Sequence, residues 1–291
     1  MSETAGSPVA PAPVALSPNA RAVFDARWAQ VLADGARESP EQAMQRVARA
    51  VAAAAEPGHA EALRVMNVED VFFEMLHSLD FLPNSPTWTG AGTKLGQLAA
   101  CFVLPVKDSL AGPGGIMKTL MDASLIQQTG GGNGFDFSEL RPKGARIRST
   151  SEGVSSGPVS FMGEMYDGSF ATIQQGGTRR GANMAVLRVD HPDIEEFIEC
   201  KAEEGAITNF NISVALTDEF MRAVEEGATF TLHHDAAPEM TREVSARALM
   251  RKIAAAAHRN GEPGVLFVDT ANLANPVPHE YTLRATNPCG T

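Results

Sequence analysis

Hydrophobic positions along the chain follow two different patterns. From Arg21 to about Asp80, apolar residues such as Phe24, Trp28 and Val31 recur at helical spacing. This periodicity is broken by the turn-forming sequence Glu56-Pro57-Gly58. The pattern predicts a small helical region over residues 21–80.

After Asp80, short apolar or alternating runs are separated by amphipathic stretches. The runs predict strands over Cys101–Val106, Gly134–Phe137, Met184–Val189, Phe210–Leu216, Phe230–His233 and Val265–Val268. The stretches predict helices over Ile116–Gln128, Phe161–Gln175, Pro192–Glu204, Thr217–Glu226 and Arg242–Asn260. Strands that alternate with helices need crossover connections, which indicates an α/β fold with a largely parallel sheet over residues 81–291.

The first 20 residues are rich in Ala, Pro, Ser and Val and contain few charges. Such a segment buries little apolar surface, so we expect a disordered lead-in over residues 1–20. It has no signal-peptide pattern, and the chain has no run of about eighteen apolar residues. We therefore expect a cytoplasmic protein that does not bind a membrane.

Charge and cysteine content narrow the function classes. The formal net charge is −11 with a pI near 5.1, which disfavours binding to nucleic-acid backbones. Cys101, Cys200 and Cys289 are too few and too scattered for a disulfide framework or a CxxC zinc site. No metal site is predicted. Any cysteine with a functional role should therefore be a reduced or chemically reactive thiol.

Three residues at or within one predicted helix have a structural interpretation. His191 and Asp193 flank Pro192 in a typical helix-start pattern, so we expect them to cap that helix. Cys200 is predicted within the same helix beside acidic residues, where a thiolate is disfavoured, and we interpret it as structural.

Three loops carry residues suited to phosphate or nucleotide binding. The polar turn Leu82–Thr87, followed by glycines, offers hydroxyl and N–H groups to a phosphate, or it is an ordinary Pro-rich connection. The run Gly130–Gly134 holds four glycines but precedes a strand, which excludes a Rossmann or Walker fingerprint. The loop Gln174–Asn183 has two adjacent arginines, which suit a nucleotide or a solvated turn equally well.

The last predicted feature is the sequence Asn287-Pro288-Cys289-Gly290. A cysteine in such a turn can present a reactive thiol, although a single cysteine is more often inert.

Together these segments resemble the ribonucleotide reductase large chain, most closely its adenosylcobalamin-dependent class. The similar phrases occur in the family's order and cover roughly residues 40–290. They are LPNSPTWTGAGTKLGQLAACFVLPVKDSL, QQTGGGNGFDFSELRPKG, GVSSGPVSFM, QQGGTRRGANMAVLRVDHPDIEEFI, NFNISVALTDEFM, GEPGVLFVD and ATNPCG.

The resemblance implies the first half of a ten-stranded α/β barrel, preceded by a helical region, with a finger loop that carries a radical cysteine. Cys289 matches that cysteine, and the resemblance implies that its thiyl radical takes the 3′-hydrogen of a ribonucleotide, with ribonucleoside diphosphates as the expected substrates. Asn287 matches a residue that hydrogen-bonds the ribose hydroxyls. Cys101 matches the first cysteine of the reducing pair.

The resemblance also implies binding residues and partners. The substrate set is Thr87, Ser85, Ala100, Cys101, Gly131, Asn287, Pro288 and Gly290. The deoxynucleotide effector set is Asp108, Ser109, Gln175, Thr178, Arg179 and Arg180. The implied cofactor is adenosylcobalamin, and the implied reductant is of the thioredoxin type. The sequence leaves the oligomeric state open, with a homodimer as one alternative.

The chain departs from the family pattern at its last residue, where Thr291 replaces the glutamate of Asn-Pro-Cys-Gly-Glu. A threonine hydroxyl is no base near neutral pH. The second reducing cysteine and the second half-barrel are also absent from this sequence. We therefore expect the N-terminal part of a reductase that is inactive without a complementing chain. The alternative is a non-catalytic nucleotide-binding module, while an unrelated oxidoreductase has little support because the loop-to-helix order is wrong.

Overall fold

A computed structural model describes residues 13–55, 67–94, 96–147, 153–173 and 181–290 of the chain. The chain divides into two compact units, Met1–Ala100 and Cys101–Thr291, and each is described by itself. None of the helices in these described ranges is both long enough and apolar enough to cross a membrane.

The first unit is helical, as its periodicity predicts. Polar caps define where its helices begin: Ser17 accepts from the Ala20 amide, Ser39 forms a capping box with Gln42, and Asn67 accepts from the Glu69 amide. The helices are α1 (Pro18–Arg27), α2 (Pro40–Ala52), α3 (Val68–His77) and α4 (Ser85–Gly90). Helix α1 thus begins inside the predicted lead-in, because Ser17 and Pro18 supply a cap and a first turn.

Apolar side chains from these helices form one core. Trp28 stacks on the buried Trp88 with ring centroids 5.4 Å apart. Arg46 and the buried Glu38 form an ion pair at 2.8 Å, and Arg46 also donates to the Trp88 and Ala91 carbonyls. The buried charge is therefore paired and hydrogen-bonded, as burial of a charge requires.

The second unit contains a five-stranded parallel sheet in the order β1-β2-β3-β4-β7. The strands are β1 (Cys101–Pro105), β2 (Gly132–Asp136), β3 (Asn183–Arg188), β4 (Phe210–Leu216) and β7 (Gly264–Phe267). The parallel α/β arrangement confirms the sequence prediction, and its five strands are the number expected of one half of a ten-stranded barrel.

Two short strands form a separate antiparallel pair. β5 (Thr229–Leu232) lies outside the parallel sheet and pairs antiparallel with β6 (Arg242–Ser245), which was predicted as the start of a helix. Along β5 only Phe230 and Leu232 are buried, so the strand has one solvated face, as antiparallel ribbons allow. Helix α10 begins only at Ala246, where the Ser245 side chain caps it.

The helices of the second unit pack beside the sheet. They are α5 (Ile116–Gln128), α6 (Gly157–Ser160), a π-helical segment (Phe161–Asp167), α7 (Gly168–Thr172), α8 (Ile194–Glu199), α9 (Asp218–Glu226), α10 (Ala246–Asn260) and α11 (Val268–Leu273). Helix α8 is shorter than the predicted Pro192–Glu204, and Cys200 lies at its C-terminal cap rather than within it.

The two faces of the sheet are covered differently. One face packs on the helices through a core rich in aromatic rings, among them Phe135, Phe137, Tyr166, Phe170 and Phe210. Side chains alternate between faces along a strand. Met184, Val186 and Ala215 therefore face the other side, where they pack with Val268 and Ala285. The chain after α11 consequently lies on this second face, which we call the inner face.

Candidate functional site

Two thiols meet at the inner face. Cys101 is the first residue of β1, and its Sγ lies 3.9 Å from Sγ of the exposed Cys289. Neither cysteine is in a disulfide. The pair joins positions 188 residues apart in sequence.

The turn at residues 287–290 presents Cys289. The Gly290 amide donates to the Asn287 carbonyl at 3.0 Å, and Gly290 has a φ of +76°. Proline at the second position of a β-turn fixes φ in advance, and glycine accepts the left-handed conformation without strain. Cys289 consequently stands at the third position of the turn, with its side chain exposed.

Glycines on β2 make room for this turn and the residues before it, which together (Ala285–Gly290) we call the tail. A Cβ at Gly134 would overlap the Thr286 carbonyl. A Cβ at Gly132 would lie 3.0 Å from the Pro288 ring and 3.5 Å from Cys101 Sγ. The glycine run, which was interpreted as a place where a ligand can approach the backbone, therefore also lets the tail approach β2.

Residues that the sequence analysis did not single out hold the segment that leads into the tail. Asn272 donates to the Leu283 carbonyl and accepts from the Leu283 amide, both at 2.8 Å. Asn275 donates to the Tyr281 carbonyl at 2.8 Å. Isolated asparagines give no signal in one sequence, because the same residues are common in ordinary turns.

A chain of amide side chains runs along the amino ends of the strands. Gln127 Nε2 donates to Asn183 Oδ1 at 2.9 Å, and Asn183 Nδ2 donates to the Asn209 carbonyl at 3.1 Å. The Asn209 amide in turn donates to Asp167 Oδ1 at 2.8 Å. These bonds connect the end of α5, the starts of β3 and β4, and the π-helical segment.

One carboxyl group at the inner face was also missed by the sequence analysis. Asp136 is on β2, beside a cavity of about 530 Å³ whose lining includes Val103, Tyr281 and Leu283. Burial raises the pKa of this carboxyl above its usual range, although the Ser138 amide donates to it at 2.9 Å. Asp136 is the titratable group of the β2 inner face.

The remaining predicted substrate residues fall in both units. Gly131 is buried, and a Cβ at Gly181 would overlap its carbonyl. Ala100 is buried in the first unit. Ser85 and Thr87 lie in helix α4 rather than in the expected polar turn, and Thr87 Oγ1 donates to the Leu98 carbonyl at 3.0 Å.

The predicted effector residues Asp108 and Ser109 lie beyond the other end of β1. Asp108 Oδ2 accepts from Arg141 Nε at 2.8 Å, and Ser109 Oγ donates to the Ala111 carbonyl. Both residues line a cavity of about 450 Å³ with Ile116, Ser155 and Phe161 among its other walls. Gln175, Thr178, Arg179 and Arg180 lie outside the residues that the structure describes.

The residues interpreted as structural have clear partners. His191 Nε2 donates to the Leu140 carbonyl at 2.9 Å, and Nδ1 accepts from the Asp193 amide at 3.0 Å. Burial lowers the pKa of His191 to about 4. The Asp193 carboxylate, expected to cap its own helix, accepts instead from the Lys143 amide at 2.8 Å. Burial raises the pKa of Cys200 to about 12, which keeps this thiol protonated.

Helix α5 also has an apolar exposed stripe. Met117, Met121 and Leu125 are each at least half exposed and occupy positions i, i+4 and i+8, which lie on one side of a helix. In the described part of the chain, no group of three His, Cys, Asp or Glu side chains is arranged to hold a metal ion.

Comparisons with known proteins cover both units. The family model "Ribonucleotide reductase, all-alpha domain" matches residues 14–96, and "Ribonucleotide reductase, barrel domain" matches residues 99–290. A vitamin B12-dependent ribonucleoside-diphosphate reductase of Mycobacterium tuberculosis strain H37Rv is 46% identical over 257 residues, which are 87% of this chain and 35% of that protein.

Two further relatives have similar names. The vitamin B12-dependent ribonucleoside-diphosphate reductase of Thermoplasma acidophilum is 47% identical over 75% of this chain and 28% of its own length. The vitamin B12-dependent ribonucleotide reductase of Streptomyces clavuligerus is 38% identical over 76% of this chain and 25% of its own length. The chain thus spans about a third or less of the curated relatives it matches.

Proposed function

We propose that this chain, which belongs to the large-chain family of ribonucleotide reductases, supplies the radical thiol and one reducing thiol for the reduction of ribonucleoside diphosphates. The observation that carries the proposal is the 3.9 Å separation of Cys101 and Cys289 Sγ. A sugar ring that contacts one of these sulfur atoms lies within reach of the other.

Each thiol has a different role in the proposal. Cys289, as a thiyl radical, takes the 3′-hydrogen of the ribose. Cys101 then supplies one of the two reducing equivalents as the 2′-hydroxyl leaves as water. The second equivalent comes from a thiol of the complementing polypeptide, with which Cys101 forms a disulfide. Their settings support this division, because Cys101 stands on a hydrogen-bonded strand while Cys289 stands on an exposed turn that a radical source can reach.

Other residues position the substrate in this proposal. Asn287 holds the ribose hydroxyls, with Pro288 and Gly290 shaping the same turn. The resemblance assigns substrate-binding roles to the backbone of Gly131 and Ala100 and phosphate-binding roles to Thr87 and Ser85. The diphosphate class is chosen because the relatives from Mycobacterium tuberculosis and Thermoplasma acidophilum carry that substrate in their names.

Adenosylcobalamin is the proposed cofactor, and when bound it supplies the initiating radical. The residue of this chain that fits such a source is Cys289, whose thiol is exposed. Cys289 would receive the radical, and the tail would hold the sulfur against β1. A thioredoxin-type protein is the proposed reductant.

Asp108 and Ser109 are proposed to bind a deoxynucleotide effector, together with Gln175, Thr178, Arg179 and Arg180. The cavity of about 450 Å³ beside Asp108 and Arg141 supports this proposal. A guanidinium group suits phosphate, and a carboxylate can accept from a sugar hydroxyl.

A second copy of the chain is the proposed partner at helix α5. The stripe of Met117, Met121 and Leu125 is apolar and exposed, and stripes of this kind mark protein interfaces. Two such stripes can pack against each other around a two-fold axis.

The proposed function is tested by co-expressing this chain with a polypeptide that supplies the remaining two thirds of a B12-dependent relative. We expect cobalamin-dependent formation of deoxynucleotides by the mixture. Cys289→Ser should reduce this activity to background because the radical position is lost, and Cys200→Ala should retain it because Cys200 is a partly buried thiol at the end of α8, away from the thiol pair.

Full activity of Cys289→Ser in the complemented mixture would contradict the catalytic assignment. An inactive mixture, combined with deoxynucleotide binding by this chain alone, would favour the alternative of a non-catalytic nucleotide-binding module. In that case Asp108→Ala should weaken binding, whereas Cys289→Ser should leave it unchanged.

A further inference from the structure

We propose that Cys101 and Cys289 form a reversible internal disulfide under mild oxidation, so that the thiol pair is a redox modification site. The disulfide itself does not depend on the proposed function. Its consequence does rest on that function, because the bond would consume both the radical thiol and a reducing thiol.

The geometry of the pair favours an internal bond. The two Sγ atoms are 3.9 Å apart, and a disulfide bond of about 2.05 Å needs them to approach by roughly 1.9 Å. Cys101 is held in β1 by pairing with β2, but Cys289 is exposed in a turn. A Cβ on the neighbouring Gly290 would meet nothing within 4 Å, so there is open space beside the end of the turn that follows Cys289.

The tail keeps the two sulfur atoms together while this adjustment occurs. Ala285 packs with Met184, Val186 and Ala215, and Thr286 lies against Gly134. Pro288 lies against Gly132, the register partner of Cys101. These contacts hold Cys289 beside Cys101 on the same face of the sheet. Cys101 is therefore placed to attack Cys289 Sγ in competition with thiols from the solution.

The oxidant is a low-molecular-weight disulfide such as oxidised glutathione. The thiolate of the exposed Cys289 attacks one glutathione sulfur, forms a mixed disulfide and releases one glutathione thiolate. The Cys101 thiolate then attacks Cys289 Sγ and displaces the second glutathione. Two protein thiols lose two electrons and two protons, and one oxidised glutathione becomes two reduced ones.

The third cysteine provides an internal reference. Cys200 is partly buried at the end of helix α8, and its raised pKa, about 12, leaves it almost wholly protonated near neutral pH. Thiol exchange requires the thiolate, so Cys200 should remain reduced under the same treatment.

The test treats the full chain with oxidised glutathione, then unfolds it, labels free thiols with N-ethylmaleimide and maps the peptides by mass spectrometry. In the wild type we expect a cross-linked peptide that joins Cys101 to Cys289, with maleimide on Cys200 alone. In Cys101→Ser, glutathione should remain on Cys289 at a level roughly tenfold above the wild type, because no thiol displaces it. Cys200→Ala is the matched control and should form the same cross-link as the wild type.

Two results would overturn the proposal. One is equal glutathione occupancy of Cys289 in the wild type and in Cys101→Ser. The other is a cross-link that joins two chains on a non-reducing gel instead of closing within one. If the cross-link forms but the complemented mixture is inactive, only the proposed function fails. If the mixture is active and oxidised glutathione leaves its activity unchanged, only the disulfide proposal fails.

Discussion

At the scale of single residues, glycine decides whether the tail can lie on the sheet. Gly134 has no room for a Cβ, since that atom would overlap the Thr286 carbonyl. The glycine run is visible in the sequence, where its pattern indicates only that a ligand could approach the backbone closely. The sequence could not show that the tail lies beside Gly134, because Thr286 is more than 150 residues away and only the fold brings it next to β2.

We expect Gly134→Ala to lower the free energy of unfolding by about 1–3 kcal/mol through overpacking, and to separate the two thiols. Gly168→Ala is the control, because a Cβ there meets nothing within 4 Å and alanine favours a helix. Urea unfolding measures the stability, and the yield of the Cys101–Cys289 cross-link measures the separation. Equal effects of the two substitutions would contradict the close contact of the tail with β2.

His191 predicts a pH dependence at the same scale. Its pKa is about 4 in the folded chain, where the ring is buried near His234, Asp190 and Asp193, and about 6.5 when unfolded. The unfolded state therefore binds the proton first as the pH falls. The contribution to stability is complete above pH 6.5 and is lost between pH 6.5 and about 4, with a total of about 3 kcal/mol.

We expect His191→Gln to flatten the decline in the free energy of unfolding over this pH range, as measured by urea denaturation at several pH values. His258→Gln, at an exposed position of helix α10, should retain the wild-type slope. A His191→Gln profile parallel to that of the wild type would contradict the assignment.

At the scale of elements, the hydrogen-bonded side chains of Gln127 and Asn183 link segments that are far apart in the sequence. Asn183 donates to the Asn209 carbonyl and accepts from Gln127, so its side chain joins β3 to β4 and to α5. The starts of these elements follow from sequence periodicity to within a few residues. The side-chain hydrogen bonds between these elements cannot be predicted from the sequence, because an asparagine at a strand start is equally consistent with a simple turn.

We expect Asn183→Ala to lower the free energy of unfolding by about 1–3 kcal/mol, since it leaves the buried Gln127 amide without its acceptor. Asn211→Ala, an exposed position on β4, should change stability by less than about 0.5 kcal/mol. Chemical denaturation of both variants measures the difference. If Asn183→Ala lowers the free energy of unfolding no more than Asn211→Ala does, the hydrogen bonds of the Asn183 side chain do not contribute to stability.

The same scale explains why the sequence pattern assigned β6 to a helix. The residues of β6 were joined to the following helix because Arg242–Asn260 has a nearly continuous amphipathic pattern. A four-residue strand is too short to establish its own period of two, so the longer helical period dominated the prediction. Among the parallel strands, β3 was the easiest to identify, because residues 183–187 are buried on both faces and four of these five residues are apolar.

At the scale of the whole molecule, the exposed stripe on α5 predicts self-association. Leu125→Glu places a charge in the stripe, so we expect it to convert a dimer into a monomer by light scattering. Leu273→Glu is the matched control, because Leu273 is also highly exposed but lies on α11, outside the stripe. A dimer that persists in Leu125→Glu would exclude α5 as the interface.

Strand β1 carries a thiol at its first residue and leads directly to Asp108 beyond its last. Its five residues span about 13 Å, a length set by hydrogen-bonded backbone rather than by side chains. Substitutions along β1 therefore leave this spacer unchanged, whereas inserting a single residue would lengthen it and rotate Cys101 to the helix-covered face. The number of residues between Cys101 and Asp108, rather than the identity of those residues, therefore sets the distance between the thiol and the carboxylate.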